Sequence, residues 1–216
     1  MNKKITLTKN TQSIKYLCSK DKQLSNLIHI IGNISYVPYG IRNSYSFLVH
    51  EIIEQMLSMK AGQKIYERLK ILCKGKITPI NVSKLTLEEI RSIGTSNRKA
   101  NSIIDLTEAV ICNKIQFSKF KNLSDDEIIK HLTSIKGIGI WTAKMYLLFV
   151  LNRQDILPVE DGAFTQSYRW LYKIIDYDKK VVIKKCEKWK PYSSIASRYL
   201  YRALNQGLTK TNINIF

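Results

Sequence analysis

Residues 132–172 read LTSIKGIGIWTAKMYLLFVLNRQDILPVEDGAFTQSYRWLY. Two glycines, Gly137 and Gly139, enclose the apolar Ile138 between two helical patterns, and an isolated acid, Asp161, opens a third helix downstream. A turn this tight between helices calls for backbone angles that glycine adopts cheaply. Without side chains, such a turn can also bring backbone N–H groups up to a ligand at the start of the next helix, which makes an anion site. Ile138 is placed to pack between the two helices, and Lys136 and Lys144 flank the turn. Taken alone, the G-x-G pattern also fits a plain helix cap and turn.

The rest of the composition says which anion to expect. The chain has 216 residues, 44% of them hydrophobic, with a formal net charge of +18. That length and apolar content suffice for a buried core, and the charge favours a polyanionic partner through counterion release from phosphates. A phosphate gripped by backbone is held without reading sequence. The longest apolar run, Tyr146 to Leu151, is too short to span a membrane, and MNKKITLTKN lacks the apolar core of a secretory signal. A soluble, cytoplasmic protein is therefore expected; a monomer associated with the nucleoid is the expected state. Cys18, Cys73, Cys112 and Cys186 are scattered without a C-x-x-C pair, which disfavours structural zinc and an iron–sulfur cluster. His29, His50 and His131 stand apart and receive no chemistry, and the absence of a P-loop or G-x-G-x-x-G argues against a nucleotide cofactor.

Helical periodicity dominates. Leu24, Leu27, Ile28 and Ile31 make a stripe that ends at Gly32, and Phe47, Leu48, Ile52 and Met56 make another over residues 44–57. A helix from about Lys60 stops before Gly75. Thr86 with Glu89, and Ser124 with Glu127, spell capping boxes, and Ser96 can cap a helix over 97–114. Trp141 to Leu151 is nearly all apolar, as in a buried helix. Phe164, Tyr168 and Leu171 place a core stripe after Asp161, and two helices follow around 181–189 and 194–204. The last residues, LTKTNINIF, are expected to fray or lie on the surface. The reading is all-α.

These pieces resemble a known family. LTSIKGIGIWTAKMYL followed by LPVEDGAF is similar to the helix-hairpin-helix DNA glycosylases, and within them to the branch of bacterial 3-methyladenine DNA glycosylase II. FLVHEIIEQMLSMKA resembles the family's early helix with its Q-x-x-S element, LTLEEIRSIGTSNRKA its helix–glycine–helix joint, and WKPYSSIASRYLYRA its C-terminal W-x-P-[WY] pair. The resemblance implies two helical lobes flanking a DNA-binding cleft, one over residues 34–151 and one built from 1–33 and 152–216. The stretch before Phe47 is too short for the β-domain that some relatives carry. No metal is required, although a monovalent cation could sit at the Gly137–Gly139 hairpin, and no cofactor is expected.

The same resemblance assigns roles. Cleavage of an N-glycosidic bond builds positive charge on the sugar, and a carboxylate near C1′ stabilises it and orients water. The family's catalytic aspartate falls on Asp161, whose helix dipole favours the anion. A plain N-cap is the alternative, and Glu160 is the neighbouring candidate. The family usually continues with a longer aliphatic residue where Gly162 and Ala163 follow here. Relatives that nick the strand carry a Schiff-base lysine where this chain has Trp141, and Lys144 lies on another face, so a monofunctional enzyme is implied.

A flipped base needs a stacking pocket. Trp141 and Tyr201 match pocket aromatics, with core packing the alternative for Trp141, and Met145 stands where a relative has tyrosine. Tyr36, Tyr39 and Tyr45 could line the same cleft. Met56 matches the residue that fills the emptied stack, next to Gln55, although it also fits the helix stripe. Thr142 joins the hairpin residues on phosphate, and Ser58 and Lys60 are expected to cap the next helix and touch the backbone. The partner is then double-stranded DNA containing damaged bases, with alkylated purines the leading substrate. Uracil, a mismatch or an oxidised purine on the same fold is one alternative. A non-catalytic DNA-structure-binding protein is another.

Overall fold

The computed structural model describes residues 3–210, so the terminal residues 211–216 of the expected fray lie outside it. The chain opens with a short strand β1 (Ile5–Leu7), helices α1 (Gln12–Lys20) and α2 (Lys22–Ile31), and a second strand β2 (Ile34–Tyr36). β1 and β2 pair antiparallel, Ile5 opposite Tyr36 and Leu7 opposite Ile34. Then come α3 (Ser44–Glu54), α4 (Met59–Leu72), α5 (Pro79–Val82), α6 (Leu87–Ser92), α7 (Asn97–Ile111), α8 (Asp125–Thr133) and α9 (Ile140–Met145). The chain ends in α10 (Gly162–Tyr172), α11 (Lys179–Cys186) and α12 (Ser193–Asn205). Both capping boxes form, and Ser96 and Asp21 cap α7 and α2. Among the described residues, no helix is long and apolar enough to cross a membrane.

Among the described residues the fold is helical, with one small sheet that sequence periodicity did not predict. Three-residue strands are too short to show an alternation, and the partners, such as Thr6 and Ser35, 29 residues apart, are distant in sequence. Residues 39–151 form one compact unit, and residues 1–38 with 152–216 form the other. The boundary expected at residue 34 therefore moves to residue 39. The reason is the pairing of β2 with β1, which ties Ile34–Tyr36 to the N-terminal segment.

The unit of residues 39–151 buries Leu48, Ile52 and Ile53 of α3 with Leu69, Ile103, Leu106, Ile128 and Leu132. Its last helix does not continue α-helically as expected. From Tyr146 to Val150 it becomes a π-turn, with the Leu151 N–H donating to Tyr146 O at 3.2 Å. Phe149 O then accepts from the Tyr39 N–H at 3.0 Å, a donor from outside the helix. The Tyr146 hydroxyl shares a 2.7 Å hydrogen bond with Ser44 Oγ.

The other unit packs α1, α2, α10 and α12 around Phe164, Tyr168, Trp189, Tyr199 and Leu200. Phe164 stacks on Tyr168 at 5.6 Å, and Trp189 meets Tyr168 edge-on at 6.0 Å. One charge lies at the edge of this core. Asp21, 3% exposed, accepts from the Leu24 N–H at 3.1 Å, Tyr172 Oη at 2.6 Å, and Trp189 Nε1 and Lys188 Nζ at 2.9 Å. Burial pushes its pKa up, but the hydrogen bonds from Tyr172, Leu24, Trp189 and Lys188 outweigh it and hold the carboxyl below its ordinary value. Because the folded pKa is the lower one, this stabilisation is present above the unfolded pKa and is lost as pH falls through the folded value. Asp21→Asn would turn amide N–H donors toward donors. Urea unfolding should show a loss of about 3 kcal/mol, and a loss below about 1 kcal/mol would deny the network its role.

Candidate active site and nucleic-acid interface

The hairpin lies in the unit of residues 39–151. α8 ends at Thr133, the Ile138 N–H donates to Ile135 O at 3.1 Å, and Gly139 is the N-cap of α9. Only Gly137 has a positive φ, +90°. A Cβ there would stand 2.0 Å from Ser102 Oγ and 2.6 Å from Ser102 Cβ, so α7 packs directly on the turn. Gly139 has an ordinary extended φ of −96°, and a Cβ there would meet nothing within 4 Å. The sequence reading asked special backbone angles of both glycines; the structure asks them of one. What distinguishes Gly139 is exposed backbone at the mouth of a helix, where a ligand can approach closely.

Ile138 is buried, as its helix-spacing role requires, and Lys136 is exposed beside the turn, with Lys144 half-buried on α9. Thr142 departs from expectation. It is 1% exposed and its hydroxyl lies 3.5 Å from Gln55 Nε2, so its side chain faces the interior. Its N–H, in the first turn of α9, is what it can offer a phosphate. Gly137 O accepts from Gln55 Nε2 at 3.0 Å and Gly139 O from the Ala143 N–H at 3.0 Å. A monovalent cation at these carbonyls would share them with those donors.

Gln55 thus ties the end of α3 to the hairpin. Directly after it comes Met56, expected on the helix stripe or as a wedge. The helix stops at Glu54, and Met56 stands in the left-handed region at φ +59°, 100% exposed. Core packing is excluded for it. A bulky residue held at positive φ and fully in water is strained, and such strain is characteristic of functional turns. Leu57 and Met59, 41% and 74% exposed, extend the apolar surface, and Ser58 caps α4 by accepting from the Ala61 N–H. Lys60 is exposed on α4.

Two residues without an assigned role support this turn. Lys99 Nζ donates to Ile53 O at 2.8 Å and to Gln55 O at 2.6 Å. Gly62 lets α4 approach α3, since a Cβ there would stand 2.5 Å from Glu54 Cγ. Lys99 leaves no local signal, because its partners lie 44 and 46 residues away in sequence. His50, on the same end of α3, sits 3.8 Å from Glu51 and 3.6 Å from Glu54. Burial pulls its pKa down, but the two acids outweigh this and hold it above the ordinary value.

Trp141 is half-buried and Met145 4% exposed, both on α9. Tyr45 does not face a cleft. It is 6% exposed, and its hydroxyl is hydrogen-bonded to Thr107 Oγ1 at 2.6 Å inside the core. Tyr39 is 52% exposed.

Asp161 and Tyr201 belong to the unit built from the two ends of the chain. Asp161 is the N-cap of α10: Oδ1 accepts from the Phe164 N–H at 2.8 Å. Its own N–H donates to Pro158 O and its carbonyl accepts from the Thr165 N–H, both at 2.9 Å. Phe164 beneath it is fully buried, while Asp161 itself keeps 9% exposure. The residue is therefore fixed through its carboxylate, its N–H and its carbonyl, at the positive end of an eleven-residue helix. Gly162 follows with open space where a Cβ would stand, so packing does not require a glycine at this position. Tyr201 is half-buried on α12, one turn after Arg198, whose guanidinium lies 3.7 Å over the Tyr36 ring.

The HhH-GPD family of base excision DNA repair proteins matches residues 49–191. DNA-3-methyladenine glycosylase 1 of Schizosaccharomyces pombe is 32% identical, over 91% of this chain and 88% of that protein. Two solved structures are similar throughout. A DNA-3-methyladenine glycosidase from Bacillus halodurans has TM-score 0.82 at 32% identity, covering 94% of each chain. The S. pombe 3-methyladenine DNA glycosylase in complex with abasic DNA has TM-score 0.84 at 31% identity, over 90% of this chain and 97% of that one. Hairpin, capped aspartate and overall similarity agree, and the chain belongs to the HhH-GPD superfamily of base excision DNA repair proteins.

Proposed function

We propose that the chain is a monofunctional DNA N-glycosylase that releases alkylated purines, of the 3-methyladenine and 7-methylguanine type, from duplex DNA. The observation that carries this reading is Asp161, an aspartate fixed by the Phe164 N–H at a helix N-terminus yet still 9% exposed. The hairpin amides, Lys136 and Lys144 hold the phosphate backbone, and the net charge of +18 supplies the long-range attraction. Met56 fills the stack left by the extruded nucleotide, and Trp141 stacks on the base. Alkylation puts positive charge on the purine, which an indole face attracts and which weakens the bond to be broken.

In the reaction the C1′–N bond breaks and its electron pair leaves with the base. Asp161 stabilises the sugar cation and orients a water, which adds to C1′ and passes its proton to the Asp161 carboxylate and from there to solvent. The products are free base and an abasic strand. The relatives named as 3-methyladenine glycosylases support the alkylated substrate over uracil or oxidised purines. The protein acts as a cytoplasmic monomer. With Trp141 in place of a lysine, no amine attacks C1′. Borohydride added during turnover should accordingly trap no protein–DNA adduct while base release proceeds; a trapped adduct would overturn the monofunctional assignment.

A further inference from the structure

Lys99 is in the wrong place for its own helix. It lies in the first turn of α7, three residues after the Ser96 cap, where the helix dipole is positive and a cation is disfavoured. It is also partly buried, and desolvation lowers its pKa. Its compensation comes from another helix. The last carbonyls of α3 have no intrahelical donors, and that end is the negative pole. Lys99 Nζ reaches one of them, Ile53 O, at 2.8 Å and the carbonyl of the C-cap residue, Gln55 O, at 2.6 Å, in short charge-assisted bonds.

The second bond matters most. Gln55 O belongs to the peptide group that joins Gln55 to Met56, so gripping it fixes the plane from which Met56 projects. Met56 needs such a hold, because its φ of +59° and full exposure give it no packing of its own. The Gln55 side chain meanwhile bonds Gly137 O, so the peptide is anchored on one side to α7 and on the other to the hairpin. Ser102, one turn after Lys99, packs against Gly137 and closes the same frame.

We propose that Lys99 is the positioning residue of the DNA wedge: it caps the end of α3 and so holds Met56 in the conformation that enters the base stack. This rests on the reading of Met56 as that wedge. Lys99 acts through the backbone carbonyls it holds. Without its charge the α3 end is satisfied by water and frays, and Met56 loses its direction.

The test uses a duplex with a tetrahydrofuran abasic analogue beside 2-aminopurine, whose fluorescence rises when a side chain unstacks it. Wild type should raise the signal at saturation, and Met56→Ala should reduce it several-fold. Lys99→Met should match Met56→Ala while binding the duplex within about threefold of wild type, and the double variant should lose nothing more. Lys99→Arg, which keeps a cationic donor, should restore most of the signal. A full signal from Lys99→Met, alongside a reduced one from Met56→Ala, overturns the role of Lys99 alone. A full signal from Met56→Ala overturns the wedge reading and this proposal with it. Should Lys99→Met fail to fold, Lys99→Gln keeps one neutral donor and must give an intermediate signal; a full one overturns the proposal.

Discussion

Asp161→Asn should slow base release by about 100- to 1000-fold while leaving the fold and the affinity for DNA nearly intact. The substitution separates two roles that one side chain holds together. As an N-cap, Asp161 needs only an oxygen to accept the Phe164 N–H, and asparagine provides it about as well. Urea unfolding should therefore shift by less than about 1 kcal/mol. As a catalyst it needs a negative charge for the developing sugar cation, and asparagine has none. Single-turnover release from a methylated duplex, measured beside DNA binding, tells the roles apart. A variant within about threefold of wild-type rate would reduce Asp161 to a cap.

The two hairpin glycines should respond differently to alanine. Gly137→Ala puts a Cβ into the left-handed region at φ +90° and within 2.6 Å of Ser102 Cβ. Strain and overlap together should destabilise the protein by about 2–4 kcal/mol and displace the amides that grip phosphate. Ser102→Gly should recover the part due to overlap but not the part due to φ. Gly139→Ala meets neither penalty inside the protein, because its backbone is extended and its surroundings are open. It should unfold like wild type and lose DNA affinity only, alike for any sequence, by crowding the phosphate. Unfolding curves and binding isotherms for both variants check this. Equal destabilisation by the two would contradict the geometry.

That contrast shows where the sequence could be read and where it could not. Local devices were legible. The Thr86 and Ser124 capping boxes, the Ser96 and Asp161 caps and the Phe164–Tyr168–Leu171 stripe depend on neighbours within one or two turns, and each forms. Features that depend on distant neighbours were not. Gly137 is a glycine partly because Ser102 lies against it, and the strands β1 and β2 exist only as a pair. Met56 fitted the stripe of α3 in period but leaves it in fact, because the helix stops at Glu54 and Lys99 holds its end. Thr142 and Tyr45 looked available for a ligand, yet each turns its hydroxyl inward to a partner on another segment. Residue type and spacing found the acid and the hairpin. They could not find Lys99, whose role is set by two carbonyls at the end of another helix.

The most direct test of the account is release of free bases from a panel of damaged duplexes. Methylated DNA should yield free 3-methyladenine or 7-methylguanine and leave unbroken strands carrying abasic sites, with uracil and oxidised-purine duplexes released far more slowly. Tight binding of all these duplexes with no base set free would contradict it and make the chain a DNA-binding module.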